Sequence, residues 1–200
     1  MGVAVFVIAL VGGLVLRVYA PSPLWLDEAL SVNLASLPPS DLVDALRNDG
    51  HPALYYLLLG WWIDVVGDGD TAVRALSGIL SLAAVPVVWA VARRYEPPTA
   101  PVAATLALAS PYLLRYGTEA RMYALVVLLA ALGWWAVEAA IDRPTGLRLA
   151  GVALVAAALV HTHYWTFWLI GTTVALLGWI AWRDAARRRG ATRTAAAVLA

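Results

Sequence analysis

A succession of long apolar runs divided by short polar breaks constrains this chain more than any other feature. The runs cover residues 3–20, 75–93, 100–115, 122–141, 147–162 and 164–182, and residues 194–200 read as the start of another. A helix crosses the hydrocarbon of a bilayer in about 17–25 residues. In lipid it satisfies its own backbone hydrogen bonds. Apolar residues make up 62% of the chain and charged residues 14%. A soluble domain of this length has too little interior to hide that much apolar surface. The expected fold is therefore an all-α, polytopic membrane protein, forming a single module over residues 1–200.

Other features agree. Trp25, Trp134, Trp135, Trp165 and Trp182 sit near the ends of runs, where an amphipathic ring suits the membrane interface. With no Cys, disulfides and thiolate metal sites are excluded. Every basic residue apart from His is Arg, and the net charge of +1 gives no sign of a nucleic-acid partner. The first run resembles a signal peptide, with Val18-Tyr19-Ala20 as a weak cleavage site. It lacks a positive leading region, and Pro21 would follow the cut, so an uncleaved helix is expected.

Arginine placement orients the runs. Arg93 and Arg94 end one, Arg143 and Arg148 flank a break, and Arg183, Arg187, Arg188, Arg189 and Arg193 cluster after another. The positive-inside rule puts these three breaks in the cytoplasm. Residues 21–74 then form an outer loop rich in acid, including Asp27, Glu28, Asp41, Asp44, Asp49, Asp64, Asp68 and Asp70. The breaks near Glu119 and His163 share its side. This assignment requires the short apolar run 53–66 not to span, so it is read as an interfacial helix with Tyr55 and Tyr56 at headgroup level. Two further short helices are expected at 30–37 and 40–47, with Ser40 as N-cap of the second. Pro86 falls inside a run, where a membrane helix tolerates it with a kink.

Four constellations carry possible chemistry, all on the outer side. Asp27-Glu28 follows the first run; one carboxylate can act as a base while the other orients it or holds a metal. The alternative is an acidic first turn favoured by a helix dipole. Arg115 and Arg121, around Glu119, run against the positive-inside rule. An anionic phosphate would explain them, because the guanidinium binds it in a forked geometry; the alternative is a salt bridge to Glu119. His161-Thr162-His163-Tyr164 offers two His whose i, i+2 side chains diverge on a helix. One His bonding a phosphate while the other packs is the reading taken. His51-Pro52 opens the 53–66 run, and His51 alone in that motif invites a role.

These residues in this order resemble a known family. A first helix is followed by Leu26-Asp27-Glu28, then His51-Pro52-x-Leu54-Tyr55-Tyr56, Glu119-Ala120-Arg121-x-Tyr123 and Thr162-His163-Tyr164. The set is similar to the polytopic glycosyltransferases of the GT-C fold. It lies closest to the bacterial branch of the protein mannosyltransferase-like families, which includes lipid A aminoarabinose transferases. The chain departs from that pattern at Ala53, where a second Pro is common, and at Thr118, where Gln or another polar residue is common.

The resemblance implies inverting transfer of a sugar from a polyprenyl-phosphate carrier to a glycan, lipid or protein acceptor. It implies a multi-pass plasma-membrane protein with an extracytoplasmic active face. Asp27 would be the catalytic base or acceptor-binding carboxylate, with Glu28 and Glu119 as further catalytic acids. Arg121 would hold the lipid phosphate, aided by Arg115, His51, His163, Tyr123 and Tyr164. No cofactor is required, although a divalent metal could sit at Glu28 and Glu119. A transporter and a non-catalytic scaffold or fragment are the rival readings. Transport fits less well because transporter sites lie near the midplane, and here the charges gather at one face.

Overall fold

The structure is a computed structural model that describes residues 3–18 and 22–200. The stretch Tyr19-Ala20-Pro21, which holds two of the three cleavage-like residues, lies outside the described residues. Among the described residues every regular element is helical. The order is α1 (Val3–Val18), α2 (Leu26–Ala35), α3 (Pro39–Asp49), α4 (Leu54–Val66), α5 (Asp70–Tyr95), a 3-10 turn (Pro97–Thr99), α6 (Ala100–Ala109), α7 (Pro111–Gly117), α8 (Tyr123–Asp142), α9 (Gly146–Thr162), α10 (Thr166–Arg183) and α11 (Arg188–Val198). Helices α5 and α8 are long and apolar enough to cross a membrane, and α1, α4 and α9 contain shorter apolar stretches. The fold is that of an all-α membrane protein.

Helix α5 is the hub, packing against α1, α4, α6, α7 and α8. It runs through Pro86 without interruption. Pro111 acts differently. Residues 100–115 were expected to be one span, but they divide into α6 and α7. The residue before a proline is pushed out of the helical region, and Ser110 is extended, with ψ 121°. Its Oγ then accepts the Leu113 N–H at 3.5 Å and caps α7, whose first residue is Pro111. Local chemistry thus turns one apolar run into a broken helix.

The 22–70 segment folds into α2, α3 and α4 over one end of the bundle. Helix α3 starts on Pro39, so Pro38 takes the N-cap place and Ser40 lies inside the helix, where its Oγ–H donates to Asp41 Oδ1. Gly50, at φ 76°, ends it in the left-handed region. Helix α4 is docked rather than merely resting on the surface. Tyr55, Tyr56 and Leu59 are fully buried, contrary to the headgroup placement expected for the two tyrosines. They pack in the core with Leu34, Val73, Met122 and Leu159. Gly60 permits this: a Cβ there would stand 2.5 Å from the Ala35 carbonyl oxygen. Only the opposite face, with Leu57, Trp61 and Val65, stays exposed.

The C-terminal element also differs from expectation. Thr194 does not begin an apolar span but lies inside α11, which starts at Arg188 and is amphipathic. Gly190, Ala191, Thr194 and Val198 are buried where α11 meets α8, α9 and α10, and Arg188, Arg189 and Arg193 face outward. The approach is close enough that a Cβ at Gly190 would overlap the Ile141 carbonyl. Gly190→Ala should therefore cost about 1–3 kcal/mol through overpacking. Limited proteolysis should cut the 184–188 connection faster in that variant, and an unchanged rate would contradict the close packing.

Candidate active site

The alternating course of the helices sorts the polar residues between two ends. One end carries the 22–70 segment, the turn between α7 and α8, and the α9–α10 connection. The other carries the arginines in the last turns of α5 and α10 and in the connections after α8 and α10. At the first end Asp27, Glu28, His51, Glu119, Arg121, Tyr123 and His163 come together from four separate stretches of chain.

Glu28 is the anchor. It is fully buried at the third position of α2. Arg74 in the first turns of α5 donates from Nε to its Oε1 at 2.8 Å and from Nη2 to its Oε2 at 2.6 Å. The Ala120 N–H reaches Oε1 at 2.9 Å, and the Trp25 N–H reaches Oε2 at 3.2 Å. Burial by itself would raise its pKa, but Arg74 and the two backbone donors outweigh it and hold the carboxyl below its ordinary value. Arg74 also donates to the Ser22 and Pro23 carbonyls at 2.6 and 3.1 Å, so the entry to α2 is tied to α5. With both oxygens taken by N–H donors, Glu28 suits neither proton transfer nor a cation. It fixes α2 against the Glu119–Arg121 turn.

That fixing places its neighbour. Asp27 points away from the Glu28 cluster, its side chain 39% exposed. Arg121 approaches it, with Nη1 3.5 Å from Asp27 Oδ2 and 3.4 Å from the Asp27 carbonyl. Arg121 itself is 8% exposed, and its Nε is buried without a hydrogen-bond partner. Its Cζ lies 5.7 Å from the Tyr123 ring centroid. Buried donors are nearly always paired, so this guanidinium edge beside an accessible carboxylate is a candidate anion-binding point.

An aromatic wall extends from it. The Tyr123 ring lies 5.9 Å from His163 and 4.6 Å from Tyr116, and His163 lies 6.4 Å edge-on from His51. His51 in turn meets Tyr56. His163 caps α9 in an extended conformation, and its Nδ1 accepts the Trp165 N–H at 3.2 Å. The neutral ring therefore carries its proton on Nε2. Burial, then the nearness of His51 and Arg121, lowers its pKa below 6.5.

The remaining candidates stand further out. Arg115 is largely exposed, and its Nη2 pairs with Glu119 Oε1 at 2.9 Å. Glu119 is buried enough that its pKa is raised, with Arg115 opposing and Glu28 adding to the rise. Tyr164 is exposed and stacks on Phe167. It lines a groove with Arg47, His51, Pro52, Leu57 and His161 rather than facing Arg121. His161 is exposed rather than packed. Among the described residues no three His, Asp or Glu side chains gather as a metal site.

Sequence reasoning passed over Arg74, Tyr56 and Tyr116. For Arg74 a signal existed, because a charge at the mouth of an apolar helix is costly unless paired. Removing that pair is informative. Glu28→Gln leaves the Arg74 guanidinium buried without its counter-charge, which should cost about 3–5 kcal/mol. A thermal unfolding midpoint in detergent equal to that of the wild type would refute the pairing. The sign with pH follows from the lowered pKa. The pair stabilises fully above the ordinary Glu value of 4.5 and loses its contribution as pH falls through the depressed folded value.

The model of one protein family, Dolichyl-phosphate-mannose-protein mannosyltransferase, matches residues 50–200. No curated protein and no solved structure matches the chain. The match takes in His51, Arg74, Glu119, Arg121, Tyr123 and His163, and their contacts bring Asp27 and Glu28 into the same cluster. A helical membrane bundle with this cluster at one end, matched over most of its length, belongs to the dolichyl-phosphate-mannose-protein mannosyltransferase family of membrane glycosyltransferases.

Proposed function

We propose that the chain transfers a sugar from a polyprenyl-phosphate carrier to an acceptor hydroxyl with inversion. The observation that carries this reading is the buried, under-partnered Arg121 next to the accessible carboxylate of Asp27. A phosphate is a good acceptor for that guanidinium edge, and it would displace the long contact to Asp27. The freed Asp27 carboxylate takes the proton of the acceptor hydroxyl. The hydroxyl oxygen bonds to the anomeric carbon while the bond from that carbon to the phosphate oxygen breaks. The electron pair leaves with polyprenyl phosphate, whose growing charge Arg121 offsets. His163 lends its Nε2–H to the same phosphate, and Tyr123 and Tyr116 present flat faces to the sugar.

Positive-inside placement supports an extracytoplasmic site in a plasma membrane, since the arginine-rich breaks lie at the opposite end. On this reading six runs cross the bilayer. Arg115 draws the carrier headgroup toward the site from its exposed position, paired with Glu119. Tyr164, His51 and the groove they line lie beside the route by which a lipid would arrive. Glu28 acts as a positioning group.

Turnover of a polyprenyl-phospho-sugar by the full-length protein in nanodiscs tests the reading, with the stereochemistry of the product as a second readout. Transfer with retention, or none with any such donor, would overturn it. The pH dependence has a stated sign. His163 gains its proton only below 6.5, and a charged ring adds a second cation beside Arg121. Donor KM should therefore fall as pH drops below 6.5 in the wild type and stay flat in His163→Gln. Identical profiles in the two would remove His163 from the phosphate site.

A further inference from the structure

Arg17 is a buried cation that the proposed reaction does not touch. It lies in α1, in an apolar run, and is 1% exposed. Among the described residues no carboxylate pairs with it. Its Nε donates to Ser81 Oγ at 2.9 Å and its Nη1 to the carbonyls of Gly13 and Leu108 at 3.0 and 3.1 Å. Nη2 donates to the Ala107 carbonyl at 3.3 Å. An ionised group inside an apolar bundle is expensive, and such groups persist where they meet a need.

The need here is the break at Pro111. In a continuous helix the Ala107 carbonyl would accept the N–H of residue 111, which proline lacks. With Ser110 extended, the Leu108 carbonyl also loses its helical partner. Arg17 supplies donors to both. Ser81 carries the tie onward, because its Oγ accepts from Arg17 and donates to the Leu113 carbonyl of α7 at 3.1 Å. Gly117, the last residue of α7, seats against the same pair. A Cβ there would stand 2.9 Å from Ser81 Oγ and 3.3 Å from Arg17 Cγ. The next four residues are Thr118, Glu119, Ala120 and Arg121.

We infer that Arg17, acting through Ser81, is a positioning residue: it holds the helix broken at Pro111 so that α7 delivers the Glu119–Arg121 turn to Asp27. Arg17 touches no substrate on this view. Its effect on transfer rests on the proposed function, but its effect on the turn does not, so two readouts separate them. The first is amide hydrogen exchange of the segment 117–123 in the full chain. The second is kcat and KM with a polyprenyl-phospho-sugar donor.

Ser81→Ala removes the tie to the Leu113 carbonyl and leaves the buried Arg17 Nε without its acceptor. Exchange across 117–123 should rise about tenfold, within the range for an orphaned buried group. Exchange across α9 and α11 should not change. In the same variant kcat should fall several-fold with acceptor KM unmoved, a split that general loosening of the fold would not give. Arg17→Met is the harsher change, and adding Pro111→Ala should rescue its folding by restoring an N–H to the Ala107 carbonyl. The doubly substituted chain should then fold with a normal melting temperature, yet keep fast exchange across 117–123 and low kcat. Wild-type exchange across that segment in both Ser81→Ala and the double variant would overturn the inference. Raised exchange in a protein whose wild type transfers no sugar would remove the transfer reading and leave the clamp standing.

Discussion

Asp27→Asn should lower kcat by about 10²–10⁴, the usual contribution of a positioned general base. The substitution keeps the size of the side chain and removes its ability to take a proton. Folding should be nearly untouched, because the Asp27 side chain is 39% exposed and its ionic contact to Arg121 is 3.5 Å long. The loss of a negative charge from the first turn of α2 costs only about 0.3–1 kcal/mol. Donor KM should fall slightly, since Arg121 no longer has a carboxylate competing with the phosphate. Single-turnover kinetics with a polyprenyl-phospho-sugar separates these effects. Turnover near the wild-type level would exclude Asp27 as the base.

Arg121→Met should be almost as damaging, lowering kcat by about 10²–10³, the loss typical of removing one preorganised stabiliser of developing charge. Arg121→Lys should recover only part of this. An ammonium keeps the charge but cannot present two parallel donors to a phosphate. It would also reach Asp27 and the Tyr123 face less well than the guanidinium does. The effect should sit in kcat more than in donor KM, because the phosphate charge grows as the bond to the sugar breaks. Equal loss in the two constants would mean that Arg121 only binds the donor. Because Nε has no partner among the described residues, removing it sacrifices no buried hydrogen bond to them at that atom.

These expectations rest on contacts of very different legibility. The apolar runs and the arginine-rich breaks are local patterns, so the helical membrane fold could be read from residue order alone. The same patterns put Asp27, His51, Arg121 and His163 at one end, because a helix that crosses once must return on the other side. The approach of Arg121 to Asp27, 94 positions apart, was outside their reach. So were the division of labour between Asp27 and Glu28 and the roles of Arg74 and Arg17. A carboxylate's function depends on who occupies its lone pairs, and Glu28 acquires its partners from 46 and 92 positions away.

The broken helix shows the boundary between the two kinds of information. Pro111 lacks the N–H that would continue the helix, yet residues 100–115 read as one apolar run in the sequence. Pro86 carries the same chemistry and leaves α5 continuous. The sequence by itself determined that the chain forms apolar helices with polar ends and that its candidate site residues gather in one set of breaks, because burial and charge act along each segment. Only the tertiary structure decided which proline breaks its helix, which tyrosines turn inward and which carboxylate stays accessible. Those outcomes depend on donors and surfaces brought in by other helices, and no segment carries them alone.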